Sequence, residues 1–385
     1  MADYLPFHVP DIDDDDIDAV VGVLRSGWLT TGGKARQFEQ EFAAKVGARY
    51  AVALNSCTAA LHLALDAIGL SEGDEVLVPT MTFAASAEVV TYFKAKPVLV
   101  DCVPTTLNID PDLIERAITP RTKAVIPVHF AGQPCDMARI LEIARHHNLR
   151  VIEDAAHAFP ASYKGKMIGS IGDCTCFSFY ATKNITTGEG GMVTTDDQEW
   201  ADRMRRMSLH GLSRDAWKRY TNQGSWHYDI VAPGFKYNLT DMAAALGLSQ
   251  LHKAERFWKT RERYAALYAE GFRDIPEIAP LATQDEVQHG WHLYVIRLDT
   301  NRLRFTREQF VERLQHMQIG CSVHFIPLHL HTYYRRTGGY RPEDFPVASR
   351  AFEGMVSLPL YSKMSESDVR RTIAAVRALV LEGRQ

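Results

Sequence analysis

A chain of 385 residues that is 46% hydrophobic can bury a sizeable core and is too long for one minimal domain. Its formal net charge of −4, without a lysine/arginine run or a basic aromatic stripe, excludes the electrostatic footprint of a nucleic-acid binder. No stretch of about 18 uninterrupted apolar residues occurs and the first residues lack a basic-then-apolar leader pattern, so a cytoplasmic protein without membrane association is expected. The six cysteines (Cys57, Cys102, Cys135, Cys174, Cys176 and Cys321) form no C-x-x-C pair, which argues against a zinc ribbon and a disulfide framework. Cys174 and Cys176, two apart, share one strand face and read as core.

Asp11 to Arg25 begins with acids and continues with apolar residues at helical spacing, the pattern of a helix N-terminus. The segment Ser26-Gly-Trp28-Leu-Thr-Thr31-Gly-Gly33 then breaks that helix. Trp28 and Thr31 there are either a substrate wall or ordinary turn chemistry. From Ala51 to Thr195 short β-rich runs alternate with helical segments: Ala51–Leu54, Glu75–Val78, Pro97–Val100, Ala124–Val128, Arg150–Glu153, Thr175–Phe179 and Met192–Thr195. This rhythm predicts an α/β fold, a mainly parallel seven-stranded sheet covered by helices on both faces.

Several polar groups follow directly on these strands, at the sheet edge where open α/β sheets bind ligands. Asn55-Ser-Cys-Thr58-Ala59 opens a helix whose N–H groups at Thr58 and Ala59 suit a phosphate, although the same residues also make an ordinary helix cap. Phe83 either stacks on a planar ring or is a core phenylalanine. Glu153-Asp154-Ala-Ala-His157 ends a buried strand, and a buried carboxylate needs a partner. His157 is either a ligand contact or a satisfied core histidine. Lys183 stands between the apolar run Phe177–Tyr180 and the glycine cluster Gly188, Gly190 and Gly191, 29 residues after Asp154. A lysine partly desolvated at that edge becomes nucleophilic toward an aldehyde, and pyridoxal phosphate is the aldehyde that would also engage Asp154, through its protonated pyridine nitrogen.

Beyond residue 195 the pattern changes. Trp200–Leu212 reads as a helix, Ser213–Asp229 as an irregular excursion, and Asn238 as the cap of a helix Thr240–Ala254. A bridging helix Leu251–Gly271 marks the expected division into a large domain, 1–254, and a small α+β domain, 255–385. The latter has strand-like runs His292–Leu298, Cys321–Phe325 and Met355–Leu358 and helices near Thr306–Met317 and Ser365–Glu382. His324-Phe-Ile-Pro-Leu-His329-Leu-His331-Thr-Tyr333-Tyr334 lacks a carboxylate or cysteine at ligand spacing, so a polar aromatic wall is expected rather than a metal site.

The stretches Ser26-Gly-Trp-Leu-Thr-Thr-Gly32, Ala117 to His129, Glu153-Asp-Ala-Ala-His157, Phe177-Ser-Phe, Lys183-Asn-Ile-Thr, Glu189-Gly-Gly and Pro233 to Asp241 resemble the fold-type-I pyridoxal-phosphate aminotransferases of nucleotide-linked keto-sugars. The resemblance runs through nearly the whole chain and is strongest to the enzyme that makes UDP-4-amino-4-deoxy-L-arabinose from a 4-keto sugar and glutamate. It implies an aspartate-aminotransferase-like three-layer fold, with Lys183 as Schiff-base lysine and Asp154 on the pyridine nitrogen. His157 would lie near the phenolate, Phe83 over the ring, and Ser178, Thr58 and Ala59 at the phosphate. Asn238 would reach the phosphate from a neighbouring subunit, making the site a property of a homodimer. Trp28, Thr31, His324, His329 and Tyr333 would face a UDP-linked sugar, and glutamate and 2-oxoglutarate would be the amino donor and its product. Two departures bear on sugar identity: Cys57 stands where relatives often have glycine or alanine, and Phe83 replaces a tryptophan. The alternatives are amination of a 3-keto sugar, another fold-type-I reaction, or a catalytically silent cofactor-binding regulator without a helix-turn-helix.

Overall fold

The computed structural model describes residues 3–213 and 228–385. Most of the excursion expected over Ser213–Asp229 therefore lies outside the described residues. The chain forms β1 (Tyr50–Leu54), β2 (Glu75–Pro79), β3 (Lys96–Val100), β4 (Thr122–Val125), β5 (Arg150–Asp154), the short β6 (Ser162–Tyr163) and β7 (Lys166–Met167), β8 (Cys174–Ser178) and β9 (Gly191–Thr195). After these come β10 (Ile278–Pro280), β11 (Val287–Gln288), β12 (Tyr294–Leu298) and β13 (Met355–Leu358).

Seven of these strands make one sheet in the order β1-β9-β8-β5-β4-β2-β3. The pairs β3·β2, β2·β4, β4·β5 and β5·β8 are parallel, and β9 runs antiparallel to both β8 and β1. The alternation of side chains along each strand feeds two cores. Val52, Val76, Val78, Ile152, Cys174, Cys176 and Val193 enter one core, and Ala51, Leu77, Val151, Phe177 and Met192 enter the other. The first is closed by the helices Cys57–Ala67 and Ala85–Thr91, the second by Gly33–Val46 and Met137–His146. Both cysteines of β8 are fully buried in the first core. At the chain's start the acid run caps a helix as expected: Asp13 and Asp16 close a reciprocal capping box on Asp14–Ser26.

A third core belongs to the antiparallel sheet β10-β12-β13 and the helices Arg307–His316 and Glu366–Glu382. One helix, Asp241–Phe272, 32 residues long, joins the second core to the third. Its first half buries Ala244, Leu248, Leu251 and Phe257, and its second half Tyr264, Tyr268 and Phe272. The two helical segments expected over 240–271 are thus one. Its N-cap is Thr240, whose Oγ1 accepts the N–H of Ala243 at 3.3 Å. Asn238 does not cap it, because its backbone bridges Leu54 at the end of β1. The run Cys321–Phe325 is not a strand either: only Ser322 pairs, in an isolated bridge with Ser357. Among the described residues no helix is long and apolar enough to cross a membrane.

Candidate active site

The carboxyl ends of β5 and β8, the start of the helix Cys57–Ala67 and the loop after β2 surround a cleft of about 500 Å³. Asp154 is the last residue of β5 and Glu153 precedes it, so strand alternation sends them to opposite faces. Glu153 is satisfied within the protein: it meets His129 Nε2 at 3.0 Å and accepts from Thr175 Oγ1 at 2.6 Å and Gly172 N–H at 2.8 Å. Asp154, only 5% exposed, points to the cleft. Its Oδ1 accepts the N–H of Ala156 at 3.1 Å and its Oδ2 the hydroxyl of Ser86 at 2.7 Å.

Lys183 lies in the connection between β8 and β9 and lines the same cleft. Burial pushes its amine down to about 8, while the neighbouring Cys57 and Asp154 pull it partly back. The glycines after it bring the chain back tightly. A Cβ on Gly191 would come within 2.3 Å of the Ser56 carbonyl carbon, so only glycine lets β9 start against the helix N-terminus. In that helix Ser56 is the N-cap and its Oγ accepts the N–H of Ala59 at 3.1 Å. The N–H of Ala59, expected at the phosphate, is thus engaged by the cap, and the residue is buried. The N–H groups of Cys57 and Thr58, with no preceding turn to receive them, remain for an anion.

His157 lines the cleft, and burial first, then the charges of Lys183 and His324, hold its imidazole well below the usual histidine range. The N–H of Ala131 donates to its Nδ1 at 3.3 Å, which leaves the ring's proton on Nε2. Phe83 is 62% exposed at the cleft, so it is no core phenylalanine. Ser178 and His324 also line it, and His324 Nδ1 stands 2.9 Å from Ser357 Oγ.

The remaining expected residues lie elsewhere in the chain. Trp28 and Thr31 meet each other through a 3.2 Å bond from Trp28 Nε1 to the Thr31 carbonyl, beside Asp241. Asn238 Nδ2 donates to Thr31 Oγ1 at 2.7 Å, outside the cleft. His329, expected to face the sugar, is fully buried away from the cleft, with Thr80 Oγ1 at 2.7 Å and Ser349 Oγ at 2.9 Å on its two ring nitrogens. Tyr333 is exposed on the helix Thr332–Gly338 and does not line the cleft.

Other residues of the cleft carry little sequence signal. His292 reaches it from the segment before β12, with its ring centroid 4.4 Å from that of His157, and Phe325 stacks on His157 at 5.7 Å. Nothing in the sequence ties either to Lys183. Asn184 had a signal, its place next to Lys183, and Thr82 and Ser86 had their i, i+4 spacing beside Phe83.

Chemically the cleft offers a neutralisable amine, a carboxylate with spare acceptor capacity, an exposed aromatic face and a helix N-terminus flanked by Thr58 and Ser178. Pyridoxal phosphate needs each of these: an amine for its aldehyde, an acceptor for its ring nitrogen, a ring contact and a phosphate cradle. The donor set fits that cofactor.

Comparison with known proteins agrees with this chemistry. The model of the DegT/DnrJ/EryC1/StrS aminotransferase family matches residues 10–377. The spore coat polysaccharide biosynthesis protein SpsC of Bacillus subtilis is 51% identical over 378 residues, 98% of this chain and 97% of that protein. Among solved structures, Spr1654 of Streptococcus pneumoniae, assigned as a sugar aminotransferase, superposes in its PLP form with a TM-score of 0.92 at 37% identity, covering 98% of this chain and 99% of its own. PseC of Helicobacter pylori, an aminotransferase involved in the biosynthesis of pseudoaminic acid, superposes with a TM-score of 0.91 at 27% identity, covering 98% and 100%. With a full-length match and a cleft whose groups suit the cofactor, the chain belongs to the DegT/DnrJ/EryC1/StrS family and is a pyridoxal-phosphate-dependent sugar aminotransferase of fold type I.

Proposed function

We propose that the protein moves the amino group of glutamate to the keto carbon, C4, of a UDP-linked keto-sugar. The observation that carries this reading is the convergence of Lys183, Asp154 and His157 with a helix N-terminus on one cleft. Support for a sugar acceptor comes from the family and from SpsC and PseC, whose names connect those proteins with polysaccharide and pseudoaminic acid biosynthesis. Closeness to the arabinose enzyme is part of the proposal and rests on the stretches from Ser26 to Asp241. Phe83 in place of that enzyme's tryptophan bears on which sugar is taken, and amination of a 3-keto nucleotide sugar is the second reading.

When bound, pyridoxal phosphate supplies an aldehyde that takes up nitrogen and a conjugated ring that spreads the charge left by C–H cleavage. Lys183 would hold it, with Asp154 on the ring nitrogen, His157 Nε2–H toward the phenolate and Phe83 against the ring face. The Cys57 and Thr58 N–H groups and the Thr58 and Ser178 hydroxyls would take the phosphate, joined by Asn238 from a second copy of the chain. Lys183 Nζ, as the neutral amine, would remove the proton from the donor's α-carbon. In the second half-reaction it delivers a proton to the sugar carbon that has received the nitrogen.

We also propose cytoplasmic residence, a homodimer with shared sites, and a division near residue 254 within the long helix, where its burial passes from the second core toward the third. The test of substrate is to load the protein with pyridoxamine phosphate and offer a panel of 4-keto and 3-keto nucleotide sugars. The productive sugar returns the absorption of the pyridoxal form and yields the amino sugar. Turnover of glutamate to 2-oxoglutarate with every sugar refused would sink the nucleotide-sugar reading, and no turnover at all would leave a cofactor-binding regulator.

A further inference from the structure

We propose that Thr82 and Ser86 form a directed hydroxyl relay that positions the Asp154 carboxylate, and that this pair sets cofactor affinity and turnover. The inference rests on the reading of Asp154 as the acceptor for the cofactor's ring nitrogen. Ser86 Oγ lies 2.7 Å from Asp154 Oδ2, and Thr82 Oγ1 lies 2.7 Å from Ser86 Oγ. A hydroxyl has one proton to give and a carboxylate oxygen accepts, so Ser86 donates to Asp154 and receives the proton of Thr82. The order Thr82 to Ser86 to Asp154 follows from proton counting alone.

The local backbone shows that this arrangement is not a by-product of helix capping. Ser86 is the second residue of the helix Ala85–Thr91, past the N-cap position from which a hydroxyl would bond a free N–H of the first turn. Here no side chain caps that helix. Ser86 is fully buried, Thr82 is 2% exposed, and the Ser86 hydroxyl faces β5 across 68 residues of chain. A buried hydroxyl without a partner is costly, so both groups depend on the relay for satisfaction. The carboxylate gains a fixed orientation: Ala156 N–H holds Oδ1, Ser86 holds Oδ2, and the acceptor capacity that remains faces the cleft, which Thr82 also lines. Bonds from two neighbours that are themselves held rigidly preorganise an acceptor better than packing alone.

Ser86 and Thr82 are thus positioning residues acting through Asp154, and a double-mutant cycle on the full-length protein tests them. The readouts are the pyridoxal phosphate dissociation constant, kcat and KM for the glutamate half-reaction, and the melting temperature of the cofactor-free protein. Ser86→Ala is expected to weaken cofactor binding and to lower kcat, each by about tenfold, the scale of one lost hydrogen bond to a charged group, with KM for glutamate unchanged. Thr82→Val should shift both in the same direction by less. The double variant should be no worse than Ser86→Ala, because Thr82 acts only through Ser86. Ser86→Thr should restore both quantities. Unchanged affinity and kcat in Ser86→Ala, or losses that multiply in the double variant, would overturn the relay. If Ser86→Ala does not fold, Thr82→Val with unchanged affinity overturns it. Asp154→Asn serves as the separate arm: wild-type turnover there removes the underlying reading of Asp154, whereas a loss there beside an indifferent Ser86→Ala removes the relay alone.

Discussion

Asn184 fastens the residue after Lys183 to the segment that carries His292: its Nδ2 donates to the Gly290 carbonyl at 2.6 Å and its Oδ1 stands 3.3 Å from His292 Nδ1. Burial and the neighbouring His157 and Lys183 keep His292 well below the usual histidine range, and because an amide oxygen only accepts, the neutral ring donates its Nδ1–H to Asn184. Asn184→Ala strips partners from two buried polar groups and loosens the Lys183 connection. A stability loss of about 1–3 kcal/mol in a urea melt is expected, with a fall in turnover beyond what the folded fraction explains. An unchanged midpoint would mean that these bonds are not formed in solution.

The amine of Lys183, lowered to about 8, sets a pH dependence for cofactor uptake. Only the neutral amine attacks an aldehyde, so capture of pyridoxal phosphate by the cofactor-free protein should rise about tenfold per pH unit below 8 and level off above it. Rapid-mixing absorbance reads this directly. A rise that continues without a break toward the ordinary lysine value of 10.5 contradicts the burial argument. Borohydride reduction of the loaded protein and peptide mapping should place the label on Lys183, and Lys183→Ala should fold without acquiring it.

Asp154→Asn keeps the volume but turns one of the two acceptor oxygens into an amide nitrogen and removes the charge at the cleft. Turnover should fall about 10²-fold or more, the scale of other lost electrostatic stabilisers, while cofactor affinity falls less. Steady-state kinetics with a parallel cofactor titration separates the two. Near-wild-type turnover would leave Asp154 a purely structural residue.

Assembly is tested by mixing. Within one subunit Asn238 is bonded to Thr31 away from the cleft, and the phosphate donors supplied there are few for a dianion. If Asn238 completes the neighbouring subunit's site across a two-fold axis, a heterodimer of inactive Lys183→Ala and inactive Asn238→Ala has one intact site. Co-expression and purification of that heterodimer should recover about half the wild-type activity per dimer, as two-fold pairing requires. No recovery places both residues in one subunit's site.

His329 provides a contrast. With both ring nitrogens bonded and the ring stacked on Phe345 at 4.5 Å, it is part of the packing between the β2 end and the helix Pro346–Gly354. His329→Ala should cost about 2–4 kcal/mol in chemical denaturation and leave KM for the sugar unchanged in the folded enzyme. A raised KM without a stability loss would return His329 to the substrate wall.

The amino-acid sequence by itself determined the seven strands of the large sheet, because runs buried on both faces are apolar and β-branched and are punctuated by glycine and proline. It also placed Asp154 and Lys183 at one sheet edge, since chemistry that follows a strand's last residue emerges there whatever the distant chain does. The reversal of β9 was left to the tertiary structure: strand direction depends on the route of the connection from Phe179 to Gly190, which no local pattern encodes. The same holds for the assignment of Glu153 to His129 and of Asp154 to Ser86 and the cleft, for alternation separates the two carboxylates without saying which face carries the ligand. His329 and His324 lie five residues apart in one motif, yet one is sealed in the core and the other lines the cleft, because burial is decided by what packs over a segment and not by its composition. Hydrogen bonds between residues far apart in the chain, such as Asn184 to Gly290, exist only once the packed cores have brought their partners together.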